Sequence, residues 1–218
     1  MDWVMITVAV AGLAAAGSVL VRLLLRYNQL SLAADLCAEG RRQLTADIAD
    51  RHILIPPFVE ATRSRLGDVP ALDELTTAFA TARRSLDAGE CDRIGAAEEA
   101  LTEATAGLAA AVHAELRGTA APPPGSQEES VTETLRYLYS QIIAIEGRIA
   151  AAARYYNRNV DRFHERRALP LSAPLRGFFR PCEPIRYSDL TLDPLDSSED
   201  ALRVIDEDYR PGRLSEEL

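Results

Sequence analysis

The sequence predicts an all-α protein: an N-terminal transmembrane helix, an antiparallel four-helix bundle with long helices, and a disordered acidic C-terminal tail. Residues 3–21 carry no charged side chain, and apolar residues after them recur at helical spacings of three and four. Aromatic residues make up only 6% of the 218 residues, which disfavours a β-sandwich or barrel. The net charge of −9 argues against binding DNA or RNA, because nucleic-acid-binding surfaces are basic.

Residues 1–26 form the predicted membrane anchor, and Trp3, Leu13, Leu20 and Leu25 mark its span. About 20 apolar residues in a helix cross the hydrocarbon core of a bilayer. A cleaved signal peptide is the alternative, because the alanines at 14–16 resemble a cleavage site. The lack of a basic residue before the apolar run, and its continuation past residue 16, favour an uncleaved anchor.

The charges that flank the span predict its orientation. Only Asp2 precedes it, whereas Arg22, Arg26, Arg41 and Arg42 follow it. Positive charge stays on the cytoplasmic side, so we expect a single-pass cell-membrane protein with its N-terminus outside and its bundle in the cytoplasm.

The spacing of the cysteines and of the small residues in the span predicts neither a disulfide framework nor a zinc site. The cysteines, Cys37, Cys91 and Cys182, are far apart in the chain, which favours free thiols in a reducing compartment. Gly12 and Ala16 form a small-residue pair that suits packing of two spans, a weak indication of a homo-oligomer.

The second region, residues 27–187, contains four predicted helices at about 27–65, 71–88, 93–117 and 128–169. We expect Pro56 and Pro57 to kink or break the first helix, because proline removes a backbone donor and clashes with the preceding turn. The fourth helix carries the longest apolar seam, which Glu129 does not join. The predicted seam consists of Val131, Leu135, Leu138, Ile142, Ile145, Ile149, Ala152, Tyr156 and Phe163.

The last two segments differ in charge. Arg176, Phe178, Phe179 and Arg180 form a candidate membrane interface, because rings enter the headgroup boundary while guanidinium groups meet anionic lipid. The alternative is that both rings cap the end of the bundle. Residues 188–218 carry ten acidic residues against three arginines, which predicts a disordered tail with a short binding helix at 201–209.

No catalytic residue, cofactor or metal site is predicted. Asp161 and His164 offer one loose metal-binding pair without a second, and Glu98, Glu99 and Glu103 are interpreted as a solvated face.

Short motifs between residues 27 and 187 resemble the LemA family. They comprise YNxL after the span, R(x)2LIP followed by VE, and ExRIAxA(x)3YN in the last helix. Residues in these motifs are Tyr27, Asn28, Leu30, Arg51, Leu54, Ile55, Pro56, Glu60, Glu146, Arg148, Tyr156 and Asn157. The chain departs from the family at Arg41, Thr45 and Pro57, which makes it a divergent member.

This resemblance implies a bacterial membrane-anchored helical bundle without established catalysis. We therefore expect a scaffold or adaptor that acts through protein contacts, with the lipid bilayer and an unidentified membrane or cytoplasmic protein as partners and no nucleic acid. The alternatives are a metal- or thiol-dependent enzyme and a sensory helical bundle. The two Tyr-Asn pairs, at 27–28 and 156–157, have two interpretations: a direct contact near the membrane, and a structural role in fixing helix register, which is preferred.

Overall fold

In a computed structural model, four α-helices and one short 3-10 helix account for nearly all of the described residues. The structure describes residues 2–89, 91–118, 122–187 and Leu192, and these residues contain no β-strand. The elements are α1 (Asp2–Leu66), α2 (Pro70–Ala88), α3 (Cys91–Gly118), α4 (Gln127–Ala168) and the 3-10 helix Pro170–Leu175. The predicted helical class is confirmed, and each predicted helix beyond the span is found within a few residues of its expected bounds.

The predicted span and the first predicted bundle helix form one continuous element, α1, of 65 residues. Its N-terminal part has a mean hydropathy of 2.3 over 18 residues, none of them buried within the protein. By length and composition, this stretch is able to cross a bilayer. The hydroxyls of Thr7 and Ser18 donate to the carbonyl oxygens of Trp3 and Ala14, at 2.8 and 2.9 Å, so both polar groups are satisfied within the helix.

Helix α1 runs through Pro56 and Pro57, so the predicted break does not occur. The two prolines leave the carbonyls of His52 and Ile53 without their usual helical donors. Both proline rings are exposed, whereas Ile55 and Phe58 beside them are fully buried. Packing of these apolar side chains outweighs the local penalty, in the way that tertiary contacts commonly override helix propensity.

Glycine ends two of the helices. Gly67 follows α1 with φ 73°, and Gly89 follows α2 with φ 71°. Each is in the left-handed region, which glycine adopts without steric cost. The amide of Gly67 donates to the carbonyl oxygen of Arg63 at 2.8 Å and so closes the last turn of α1.

The chain divides into two compact units, and all four α-helices contribute to both. The first unit consists of Met1–Ala49, Ser85–Ala96 and Arg148–Ser188, and the second of Asp50–Arg84, Ala97–Gly147 and Asp189–Leu218.

Contacts within the first unit give the relative direction of α1 and α4. Arg148 Nε lies 3.4 Å from Asp47 Oδ1, and Arg166 Nη1 donates to the carbonyl oxygen of Gln29 at 3.2 Å. As residue numbers fall along α1 they rise along α4, so the two helices run in opposite directions here.

The second unit encloses the main apolar cluster. All four helices contribute to it, and Phe58 of α1 stacks on Tyr139 of α4 with ring centroids 5.8 Å apart. The fully buried members include Ile55, Phe58, Leu75, Ala82, Leu101, Leu108, Val112 and Ile142.

The buried face of α4 overlaps the predicted seam but is rotated from it. Leu138 and Ile145 are only half-buried, and the inward positions beside them are taken by Tyr139 and Glu146. The buried residues follow alternating spacings of four and three, namely Leu135, Tyr139, Ile142, Glu146, Ile149, Ala153, Tyr156, Val160 and Phe163. The buried face includes the carboxylate of Glu146. The sequence prediction admitted mainly apolar residues to this face, and so it chose Leu138 and Ile145, each one position before the residue that is buried.

The start of α4 carries a capping arrangement. The Glu129 amide donates to Ser126 Oγ at 3.2 Å, and the Gly125 amide donates to Glu129 Oε2 at 2.5 Å. This pairing satisfies amides that the first turn leaves unpaired. Glu129 lies off the apolar face, as expected, but it has this structural role.

The predicted acidic tail lies outside the described residues except at one position. Leu192 is buried in the apolar cluster of the second unit. The predicted short helix at 201–209 also lies outside them.

We expect Ile142→Ala to lower the free energy of unfolding by about 2–5 kcal/mol, because it removes a fully buried aliphatic side chain. Ile145→Ala should cost clearly less, since Ile145 is half-buried. Glu133→Ala, on the exposed face of α4, is the control and should change stability by less than about 0.5 kcal/mol. Chemical denaturation of the detergent-solubilised chain, followed by circular dichroism, measures all three. Equal losses at 142 and 145 would contradict the assigned inward face.

Candidate functional site: a buried ion network and a clamped C-terminal segment

A guanidinium buried between two carboxylates lies inside the second unit. Arg51 of α1 pairs through Nη2 with Glu98 of α3 and through Nη1 with Glu146 of α4. The Arg51 side chain is 1% exposed, and those of Glu98 and Glu146 are 0% and 5% exposed. Buried charges are tolerated when they are paired and hydrogen-bonded, and this arrangement pairs all three.

Thr102 and His52 extend this ion network. Thr102 Oγ1 accepts from Arg51 Nη1 at 2.8 Å and lies 2.9 Å from Glu146 Oε1, to which it can donate. His52 Nε2 lies 3.0 Å from Glu98 Oε1. An ionised carboxylate only accepts, so Nε2 carries a proton in this contact. The imidazole also meets Phe79 of α2 edge to face, with ring centroids 5.3 Å apart.

The ion network therefore links all four helices within one unit. A single α1 turn supplies Arg51 and His52, and their partners come from α2, α3 and α4. Buried ion pairs add little net stability, because the desolvation of each charge offsets the attraction. Their strict geometric demands instead fix which turns face one another, the role that buried polar residues have in coiled coils. Chemically, the ion network is suited to holding register.

Two parts of this ion network were missed by the sequence reading. Glu98 was interpreted as part of a solvated face, which is wrong because its side chain is fully buried; Glu103 is exposed as expected. His52 was not singled out. The missed signal was a polar residue in an apolar stripe: Ile94, Glu98 and Leu101 follow spacings of four and three, as do Ile48, Arg51 and Ile55.

A second built feature is the clamp on residues 181–187, called the strap below. The strap has no regular secondary structure and belongs to the first unit. Asn157 Nδ2 donates to the carbonyl oxygen of Ile185 at 2.8 Å, and the Ile185 amide donates to Asn157 Oδ1 at 3.0 Å. Tyr156 Oη donates to the carbonyl oxygen of Glu183 at 2.7 Å. Asn157 thus pairs with strap backbone in the way that a neighbouring β-strand would.

Close approach of the backbone completes the clamp. A Cβ atom at Gly95 of α3 would overlap the carbonyl oxygen and carbonyl carbon of Arg186, so only glycine fits there. The Ile185 side chain is 2% exposed and anchors the strap between its two polar contacts.

The three cysteines, distant in sequence, gather around the same clamp. Burial, reinforced by the neighbouring Cys182 thiol, raises the pKa of the Cys37 thiol to about 12. Burial also raises the pKa of the Tyr156 phenol, with Cys91, Cys182 and Cys37 adding to the effect. All three cysteines are free thiols, as predicted. A thiol with so high a pKa stays protonated near neutral pH and is a weak nucleophile.

The two Tyr-Asn pairs do not meet. A Cβ at Gly40 of α1 would lie 3.3 Å from Tyr156 Cα, so Tyr156 is level with Gly40. Tyr27 lies 13 residues earlier in the same helix, which corresponds to about 20 Å along its axis. The Tyr27 ring instead contacts Phe179, with centroids 5.4 Å apart.

The remaining motif residues have simpler surroundings. Leu30 and Ile55 are buried, Leu54 is half-buried, and Pro56 and Asn28 are exposed. Glu60 and Arg148 form surface ion pairs with Arg63 and Asp47, at 3.5 and 3.4 Å.

Residues 169–180, the elbow, cap the end of α4. Arg176 Nε and Nη2 donate to the carbonyl oxygens of Arg167 and Ala168, at 3.1 and 2.9 Å, and Ser172 Oγ donates to that of Arg166 at 2.8 Å. Three carbonyls that the helix end leaves unpaired are thereby satisfied. Arg167 in turn donates from Nε to the Phe179 carbonyl oxygen at 3.1 Å, so the elbow has a fixed position on the end of α4.

Among the described residues, no group of three or more His, Cys, Asp or Glu side chains is placed to hold a metal ion. Comparison with known proteins adds no assignment: no family model matches the chain, and no curated protein matches it.

We expect Glu146→Ala to lower the free energy of unfolding by about 1–3 kcal/mol, because it removes the buried carboxylate that accepts from Arg51 Nη1 and the Thr102 hydroxyl, while Glu98 still neutralises Arg51. Arg148→Ala, two residues away in a half-exposed ion pair, should cost less than about 1 kcal/mol. Urea denaturation measures both. A triple variant with Arg51→Met, Glu98→Gln and Glu146→Gln should recover part of the loss, and a loss equal to the sum of single changes would argue against a coupled network.

We expect Gly95→Ala to release the strap, because the new methyl group would displace the Arg186 carbonyl. The readout is limited trypsin digestion, which should cut after Arg186 faster than in the parent chain. Gly107→Ala is the matched control on α3, since no atom lies within 4 Å of the added Cβ. That change should leave cleavage unaltered and stabilise the helix by about 0.5–1 kcal/mol. Unchanged cleavage in Gly95→Ala would contradict the clamp.

Proposed function

We propose that this protein is a membrane-anchored helical scaffold or adaptor of the LemA type, and that residues 27–187 form an antiparallel four-helix bundle. The observation that carries the proposal is the continuity of α1, which passes from an unburied apolar stretch into the folded units without a linker. An anchor joined in this way holds the body at a fixed distance and angle from the membrane surface. If the folded region had to search for its partner over a wide range, a flexible linker between it and the anchor would be expected.

The internal contacts fit the rigid body that a scaffold needs. Arg51 with its two carboxylates sets the register of the helices, and the Asn157 clamp secures the strap. In both features, polar side chains bind other elements of the same protein. Such rigidity lets a surface keep one shape for a protein partner, which lowers the entropy cost of binding.

A thiol-dependent enzyme is the less favoured alternative. The clustered thiols are the observation in its favour, but the raised pKa of Cys37 opposes nucleophilic use of that residue. We infer that these thiols serve packing around Tyr156.

Crosslinking in native membranes followed by mass spectrometry tests the scaffold proposal. We expect reproducible adducts with a defined protein partner that are lost when Glu146→Ala loosens the bundle but persist in Arg148→Ala. Adducts insensitive to Glu146→Ala would argue against recognition by the folded bundle surface. Turnover of a small molecule that depends on Cys37 would favour the enzyme instead.

We propose that the bundle faces the cytoplasm, based on the arginines that follow the span. Cys91 is buried and Cys182 only half-exposed, so a better reporter is Tyr137→Cys at a site that is 64% exposed, combined with Cys182→Ser. A membrane-impermeant maleimide should label this variant only after permeabilisation. Labelling in intact cells would reverse the proposed orientation.

A further inference from the structure

We propose that the elbow is a second membrane contact, in which Phe178 and neighbouring leucines enter the headgroup region of an anionic lipid surface beside the exit of α1. This inference rests on the proposed membrane anchor and adds a specific lipid-binding surface to it.

The two adjacent phenylalanines have different environments. Phe179 packs on Tyr27 and its carbonyl oxygen is held by Arg167, so it belongs to the folded unit. Phe178 is 77% exposed, and Leu169 and Leu171 on the same elbow are 38% and 44% exposed. The alternative that both rings cap the bundle therefore applies to Phe179 only. Phe178 is therefore an exposed aromatic ring on a turn whose position is fixed by neighbouring contacts.

The position of this ring relative to the span selects lipid as its occupant. The apolar stretch from residue 3 to residue 25 extends about 34 Å as a helix, which matches the hydrocarbon thickness of about 30 Å. Tyr27 lies two residues beyond that stretch, and Phe179 contacts Tyr27. The elbow consequently lies at the depth where a bilayer has its headgroups when α1 crosses it.

Charge selects anionic lipid within that surface. The segments 22–29 and 166–180 contain six arginines and no acidic residue, although the chain as a whole is acidic. These arginines are Arg22, Arg26, Arg166, Arg167, Arg176 and Arg180. Basic residues next to a span are attracted to anionic headgroups at the membrane surface. Several of these guanidinium groups also hold carbonyls of α4 and the elbow, which fixes their charge in place.

Tryptophan fluorescence in the reconstituted full chain tests the proposal. Trp3 is the single tryptophan, so Trp3→Phe provides a silent background for one reporter at a time. Phe178→Trp in vesicles containing phosphatidylglycerol should show blue-shifted emission and strong quenching by lipids brominated near the headgroup end of the acyl chains. Tyr137→Trp is the matched control at another exposed aromatic position and should remain unquenched.

A third reporter, Leu13→Trp, separates failure of this inference from failure of the anchor. It should be quenched by lipids brominated deep in the acyl chains. If Leu13→Trp is quenched and Phe178→Trp is not, the elbow contact is overturned while the anchor stands; if neither is quenched, the proposed anchor itself fails. Blue-shifted emission at 178 without quenching would place the ring against protein and overturn the lipid assignment. Equal quenching in vesicles of phosphatidylcholine alone would overturn the preference for anionic lipid.

Discussion

The pairing of Arg51 with Glu98 and Glu146 is the constraint on which the helical arrangement of the second unit depends. A guanidinium that is 1% exposed has no access to solvent, so its carboxylate partners must arrive from α3 and α4 in register. An apolar stripe alone tolerates sliding by a turn, since leucine and alanine pack in many ways. A misregistered helix would leave a charge buried without a partner, at a cost of several kcal/mol. The ion network thus excludes alternative packings that the alanine-rich stripes would permit.

Much of the fold was predictable because helix punctuation and apolar spacing are local properties. The turns after Leu66 and Ala88 carry glycine, and the spacing of Leu72, Leu75 and Ala82 on α2 identifies its buried face. The continuity of α1 through Pro56 and Pro57 was not predictable, since it depends on apolar contacts between distant segments. The sequence shows that two backbone donors are missing at the prolines. It does not show that Ile55 and Phe58 are buried, because their contacts form only in the folded unit.

The site was predictable only in part, for a related reason. Arg51, Glu146, Tyr156 and Asn157 were recognised from short motifs, but a motif does not say which residues meet. The partner of Arg51 on α3, Glu98, lies 47 residues away, and reading it as solvent-exposed followed from treating charge as a surface property. Its spacing from Ile94 and Leu101 indicates instead that Glu98 lies on the buried face of α3. A charged residue in phase with an apolar stripe is better read as one half of a buried pair.

The clamp on the strap has a consequence for how the sequence can change over evolutionary time. Tyr156 and Asn157 contact main-chain atoms of Glu183 and Ile185, and Gly95 makes room for the main chain of Arg186. Main-chain atoms are the same for almost every residue type, so the side chains of Glu183 and Arg186, both exposed, are free to drift. Tyr156, Asn157 and Gly95, which contact that main chain, cannot be replaced as freely. Substitutions should therefore accumulate at the exposed strap positions Glu183 and Arg186 and be rejected at Gly95, Tyr156 and Asn157.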